Sequence, residues 1–263
     1  KIQAFLADPH APECCVVLTS GAYRFGSMAC CPEQRAVWGL VRAAEAENPG
    51  RFVLVDVEEM PGVGERQQLS AILAGVGEAE LALRGDQLWR PRLVLAEPGE
   101  GEGAGSVRGT VLVTGGTSGI GAVLARHLAS RHEVTELVLV SRRGAEAPGA
   151  EELLTELAAF GVAARAVACD MSDRDKVFHL VESLPELDVV LHCAGVADNC
   201  LVTDLTPERL RQVLAPKAAA LWWLHEATMS RDLSAFIAMS SAGGMVLAAG
   251  QGNYAAANLF VDG

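Results

Sequence analysis

Short, continuously apolar runs alternate along most of the chain with longer stretches in which apolar residues recur every three or four positions. The runs CCVVLTSG (Cys14 to Gly21) and RFVLVDVE (Arg51 to Glu58) have the pattern of buried strands. Between them, EQRAVWGLVRAAEAENPG has helical spacing and stops at Pro49-Gly50. GERQQLSAILAG predicts a further helix, and ELALRGDQLWRPRLVLA two short strands about a Gly-Asp turn. The stretch AEPGEGEGAGSVRG then loses all periodicity and is rich in Gly and Glu, as linkers are. The expected organisation is therefore a first subdomain over residues 1–95, a linker over 96–107, and a second subdomain over 108–263.

The second half alternates more regularly. GTVLVTG, ELVLVSRRG, ARAVACD, DVVLHCAG and AFIAMSSAGG read as strands. SGIGAVLARHLASR, AEELLTELAAFG, KVFHLVESL and a long TPERLRQVLAPKAAALWWLHEATM read as helices, the last with Thr206 as N-cap and Pro207 in its first turn. Apolar strands separated by amphipathic helices predict a parallel sheet covered on both faces, a doubly wound α/β fold. The first half alternates too, but no phosphate-binding glycine pattern follows its strands, so it is expected to be a companion without a nucleotide.

Composition narrows the function. Half of the 263 residues are hydrophobic, and the formal net charge is −12, without the basic stripe of a nucleic-acid binder. The seven cysteines include two adjacent pairs but no zinc-ligand spacing, and the six histidines show none either. No metal is expected, and reduced thiols fit a cytoplasmic setting. No apolar run has the length of a membrane span.

Chemistry enters at the first strand of the second half. Thr114, Gly115, Gly116, Thr117, Ser118, Gly119, Ile120 and Gly121 lie between that strand and the following helix. A pyrophosphate at a helix N-terminus needs a tight turn and close backbone approach, both of which glycine permits. About twenty residues beyond such a loop, a carboxylate selects NAD and an arginine accommodates the 2′-phosphate of NADP. Here Ser141, Arg142 and Arg143 follow the second strand without an acid, so NADPH is the expected cofactor. Asp170 and Met171 after the third strand, and Ala194 and Gly195 after the fourth, fall at the carboxyl edge where such folds bind ligands. Tyr254 and Asn258, four apart in a helical stretch, emerge on one face. A phenol donates a proton to a developing alkoxide if a cation and hydrogen bonds stabilise the phenolate. His192, ending a strand, reads equally well as a cofactor contact or a hydrogen-bonded structural residue.

TGGTSGIG, VSRRG, ACDMSD, HCAGV, LTPERL…PK, SSAGG and GQGNYAAAN, in order, resemble the ketoreductase domains of modular polyketide synthases, within the short-chain dehydrogenase superfamily. QAFLAD, RAVWGLVRAAEAENPGRF and WRPRLV are similar to that family's catalytically silent Rossmann-like subdomain. The resemblance implies hydride transfer from NADPH to the β-keto group of an acyl chain tethered to an acyl carrier protein through phosphopantetheine, beside neighbouring synthase domains. It implies Tyr254 as proton donor and Ser241, thirteen residues earlier, as the group orienting the carbonyl. Ordinary short-chain dehydrogenases have Lys four residues after Tyr. This chain has Asn258 there, and Lys217, after Pro216, matches the family's Lys position, as in the polyketide enzymes that exchange the two.

Two departures bear on substrate entry and on the chain's extent. Where members of one stereochemical group carry Leu-Asp-Asp, this chain has Ala197, Asp198 and Asn199; where the other group carries Trp, it has Val246. Asp198, Asn199 and Val246 are thus the candidate steering residues, leaning toward the first group. The family continues with further strands and a substrate-covering lid, so the sequence is expected to be part of a longer polypeptide. The alternatives are a redox-inactive epimerase, a structural docking module, and a free-standing dehydrogenase of small alcohols.

Overall fold

The structure, a computed structural model, describes residues 1–26, 29–62, 69, 73, 76–95, 107–246 and 249–263. Helices and strands fall largely where the apolar periodicity places them. The elements are α1 (Ile2–Ala7), β1 (Cys15–Ser20), α2 (Pro32–Glu47), β2 (Phe52–Val57), β3 (Glu80–Arg84), β4 (Gln87–Trp89), β5 (Arg108–Thr114) and α3 (Gly119–Arg131). They continue with β6 (Glu133–Ser141), α4 (Ala150–Ala159), β7 (Ala163–Ala168), α5 (Arg174–Glu182), β8 (Leu187–His192) and α6 (Pro207–Leu214). The last are α7 (Ala220–Thr228), β9 (Ala235–Ala238) and α8 (Gly252–Val261). The expected linker, apart from Val107, and most of the expected helix GERQQLSAILAG lie outside the described residues.

Two compact units result, and they do not follow chain order. One comprises Lys1–Glu97, Ala197–Leu210 and Ser240–Gly263; the other comprises Pro98–Val196 and Arg211–Met239.

In the first unit, β1, β2 and β3 pair in parallel and β4 closes the sheet antiparallel to β3. Its core gathers Trp38, Val41 and Ala44 of α2, Phe52 and Leu54 of β2, and Leu259 of α8. A buried polar knot lies at the carboxyl end of β2. Asp56 accepts from the Thr19 hydroxyl and the Ala22 amide, both at 2.8 Å, and pairs with Arg84 at 2.5 Å. Thr19 in turn accepts from the Trp38 indole at 2.8 Å. A fully buried carboxylate persists only when paired and hydrogen-bonded in this way. The backbone amides of Ala22 and Tyr23, just after β1, both point onto the Asp56 carboxylate.

The second unit carries a five-stranded parallel sheet in the order β7-β6-β5-β8-β9. The order reverses between β5 and β8, and a crevice opens outside the strand ends at that switch point. Apolar layers cover both faces: α3 and α4 side chains pack with Val111, Val113 and Leu139, whereas α5 and α7 pack with Leu112, Val138 and Val190. This is the doubly wound Rossmann-type architecture; the first unit carries the smaller, Rossmann-like sheet.

Two expected elements differ. The helix expected to run from Thr206 to Met229 is interrupted by a π-helical turn, Ala215–Ala219. Pro216 explains it, since proline has no amide hydrogen for the carbonyl four residues back and its ring clashes there. The strand expected over AFIAMSSAGG ends at Ala238, and Ala242–Gly244 forms a short 3-10 turn. Ser241 caps that turn by accepting from the Gly243 amide at 3.2 Å. Thr206 caps α6 as expected, accepting from the Arg209 amide at 3.3 Å.

Candidate active site

The glycine loop follows β5 and opens α3, as its position between strand and helix requires. Gly115 has φ +66°, and a Cβ there would come within 3.1 Å of the Ala194 backbone. A Cβ on Gly121 would meet the Gly115 carbonyl oxygen at 2.3 Å, so only glycine lets helix and strand approach this closely. Around Gly119, by contrast, nothing lies within 4 Å of an added Cβ, which leaves the helix N-terminus open to a ligand. Thr117 is buried, whereas Ser118, Gly119 and Ile120 are exposed.

The crevice beside this loop has a volume of about 460 Å³ and lies wholly within the second unit. Gly115, Ser141 and Arg142 line one part of it; Asp170, Met171, Ala194 and Gly195 line another. Arg142 and Arg143 are both exposed at the end of β6, in a turn that Ser141 shapes by accepting from the Gly144 amide at 3.0 Å. Asp170 accepts from the Ser172 amide at 3.0 Å and shapes the turn after β7. Open cradle, helix N-terminus and arginines together suit a phosphorylated dinucleotide.

Lys217 belongs to the same unit. It is 5% exposed, and its ammonium donates to the Met239 carbonyl at 2.8 Å. A Cβ on Gly195 would lie 3.8 Å from its Nζ, so the lysine stands beside the strand-end residues that line the crevice. His192 is buried between Thr114 and Lys217, and burial pushes its pKa down from 6.5 to about 4.

Ser241, Tyr254 and Asn258, with Asp198, Asn199 and Val246, belong to the first unit. Tyr254 and Asn258 lie on α8, and Asn258 donates its side-chain amide to the Tyr254 carbonyl at 2.8 Å. The Asn258 Oδ1 is buried and has no hydrogen-bond partner. A buried acceptor left open is costly and fits a site that a water or a reacting group completes. Ser241 and the Tyr254 ring flank Gly243, whose added Cβ would stand 3.4 Å from Ser241 Oγ and 3.9 Å from Tyr254 Cε1. The structure therefore brings the serine and the phenol ring together. Ser240 is used otherwise, donating to the Asn258 carbonyl at 3.3 Å.

Among the steering candidates, Asp198 is gripped by Arg209 through two bonds of 2.6 Å, which hold its carboxyl below the usual range. Its carbonyl accepts from buried Asn253 at 2.9 Å, and the Asn199 carbonyl accepts from Arg209 at 3.0 Å. Val246 is 40% exposed. Arg209 escaped the sequence reading, since nothing in LTPERL marks one charge as a partner of a residue eleven positions earlier. Among the described residues no cluster of His, Cys, Asp or Glu could hold a metal ion, and no helix is long and apolar enough to cross a membrane.

Comparison with known proteins covers both halves of the chain. Residues 109–263 match the family described as KR domain, and residues 1–93 match the Rossmann fold domain of the polyketide synthase extender module SpnB. The chain is 48% identical over 231 residues to the polyketide synthase GfsA of Streptomyces halstedii, covering 86% of this chain and 3% of that protein. Among solved structures, an A-type ketoreductase from a modular polyketide synthase aligns at 41% identity and TM-score 0.83, over 94% of this chain and 55% of the other. The ketoreductase from the first module of phoslactomycin biosynthesis in Streptomyces sp. HK803 aligns at 36% identity and TM-score 0.90, over 98% and 61%. The chain thus spans a small fraction of that curated relative and little more than half of these two solved chains.

Proposed function

Because the chain belongs to the ketoreductase family of modular polyketide synthases, we propose that it is an NADPH-dependent β-ketoreductase acting on an acyl chain tethered to an acyl carrier protein. The single observation that carries this reading is the crevice at the β5–β8 switch point, where the open glycine loop, Arg142 and the strand-end residues converge. Arg142 and Arg143 would hold the 2′-phosphate, and the amides of the Gly115–Gly121 loop the pyrophosphate.

Bound NADPH supplies hydride to the β-carbon. As negative charge develops on the carbonyl oxygen, Ser241 orients that oxygen and Tyr254 gives it a proton. Asn258, with its open acceptor, and Lys217, a buried cation, are the residues we assign to supporting the phenol and the proton path. The Ser, Tyr, Lys and Asn set is complete, which favours a reductase over a redox-inactive epimerase or a scaffold. Asp198, fixed by Arg209, is the residue we assign to steering the substrate as it enters.

The test is NADPH oxidation by the full-length protein with a β-keto thioester, followed by chiral analysis of the alcohol. Stoichiometric alcohol of a single β-configuration is expected. A protein that binds NADPH yet leaves the ketone untouched, while scrambling the α-carbon, would refute the reductase assignment.

A further inference from the structure

His192, at the end of β8, is fully buried and meets two partners through its two ring nitrogens. Nδ1 lies 2.7 Å from the Thr114 hydroxyl, and Nε2 lies 2.9 Å from the Lys217 carbonyl. The rest of the network fixes the proton. Thr114 Oγ1 already accepts from the amides of Cys193 at 3.2 Å and Ala194 at 3.1 Å. A hydroxyl has one hydrogen and two lone pairs, so Thr114 has only its hydrogen left for His192. Nδ1 is therefore the acceptor, and Nε2–H donates to the Lys217 carbonyl. Burial keeps the ring neutral, as this arrangement requires.

The bond closes a circuit within the second unit. The Met239 amide donates to the His192 carbonyl at 2.9 Å, and the Lys217 ammonium donates to the Met239 carbonyl at 2.8 Å. The His192 ring then returns to the Lys217 carbonyl. That carbonyl sits in the π-helical turn forced by Pro216, where the helix's own ladder is out of step: the Ala220 amide reaches the carbonyls of both Ala215 and Lys217. A lysine in such a turn needs an external reference for its backbone, and the sheet supplies one through His192.

We propose that His192 is a positioning residue that fixes the tautomer-specific hydrogen bond to the Lys217 carbonyl and thereby sets where the Lys217 ammonium is held. The proposal deepens the reductase reading and rests on it for its kinetic consequence. The imidazole acts as a neutral strut between the strand end that opens the glycine loop and the lysine turn, and exchanges no proton in the reaction.

Two variants of the full-length protein test it. His192→Phe keeps the ring's bulk and deletes both bonds; His192→Gln restores an amide donor for the Lys217 carbonyl. In the Phe variant kcat should fall about 10- to 100-fold, the penalty for ångström-scale misplacement of a reacting group, with the NADPH dissociation constant and the thioester KM within threefold of wild type. The Gln variant should regain most of the lost kcat. Independently of turnover, the 13Cε resonance of Lys217 should move in the Phe variant and return in the Gln variant. If the Phe variant fails to fold, Thr114→Val, which removes the hydroxyl fixing the tautomer, should move the same resonance. An unmoved resonance overturns the proposal, as does a Gln variant no better than Phe. A wild type that reduces no β-keto thioester refutes the reductase reading instead, and the resonance still decides the role of His192.

Discussion

Replacing Gly39 by alanine should shift the seat of α8, the helix proposed to carry the proton donor, while leaving the proposed cofactor crevice intact. Gly39 lies in the middle of α2, where that helix packs against α8. A Cβ there would stand 2.4 Å from the carbonyl carbon and oxygen of Ala255 and 2.6 Å from the Ala256 amide nitrogen, where ordinary contact begins near 3.4 Å. The obstacle is backbone, so no rotamer change relieves it and the helices must part by about 1 Å. Overpacking of this kind costs about 1–3 kcal/mol, with a rigid obstacle at the upper end. Alanine in place of an interior helical glycine returns about 1 kcal/mol of propensity. The net loss is about 1–2 kcal/mol, small enough for the variant to fold. Ala255 adjoins Tyr254, so the same shift displaces the phenol and should lower kcat on the order of 10²-fold. Urea unfolding followed by circular dichroism, thioester-dependent NADPH oxidation and NADPH titration read the three quantities. NADPH affinity should stay within threefold, because its residues lie in the other unit. An alanine variant with unchanged stability and turnover would refute the claim that this backbone contact seats the helix.

Two further outcomes follow from the second unit. Alanine at both Arg142 and Arg143 should weaken NADPH about 10²- to 10⁴-fold while NADH changes little, from the loss of two charge-assisted phosphate contacts at about 1.5–3 kcal/mol each; equal affinity of wild type for the two cofactors would contradict the assignment. His192 has a folded pKa near 4 against 6.5, so the unfolded chain takes up its proton first as the pH falls. Its contribution to stability is complete above pH 6.5 and is lost on the way down to about pH 4, amounting to about 2 kcal/mol between pH 7 and pH 5. Unfolding free energies from urea titrations of wild type and His192→Gln should converge by that amount over the interval, and parallel curves would contradict it.

How far the sequence foretold the structure depended on how local each feature is. TGGTSGIG announced its loop because strand, glycines and helix are consecutive, and VSRRG announced the arginines because the strand end is adjacent. Tyr254 and Asn258 were legible as one helical face. The features that escaped depend on neighbours distant in the chain. Nothing at Gly39 reveals that Ala255 passes 216 positions away, and nothing at Asp198 reveals which arginine grips it. Pro216 was visible, yet helical periodicity continued across it and concealed the π-helical turn. His192 read equally as cofactor contact or structural residue until Thr114 and Lys217 appeared on its two nitrogens. The packing of α8 onto α2 joins residues from both ends of the chain, which no local pattern encodes.

The central claim is that Tyr254 protonates the oxygen of a β-keto thioester reduced by NADPH, and single-turnover NADPH oxidation in wild type and Tyr254→Phe tests it most directly. The phenylalanine keeps the ring between α8 and Gly243 and removes only the hydroxyl. General acid catalysis contributes about 10²–10⁴-fold, so the rate of NADPH loss should fall by that order with cofactor affinity nearly unchanged. A Phe variant that turns over at the wild-type rate would contradict the account.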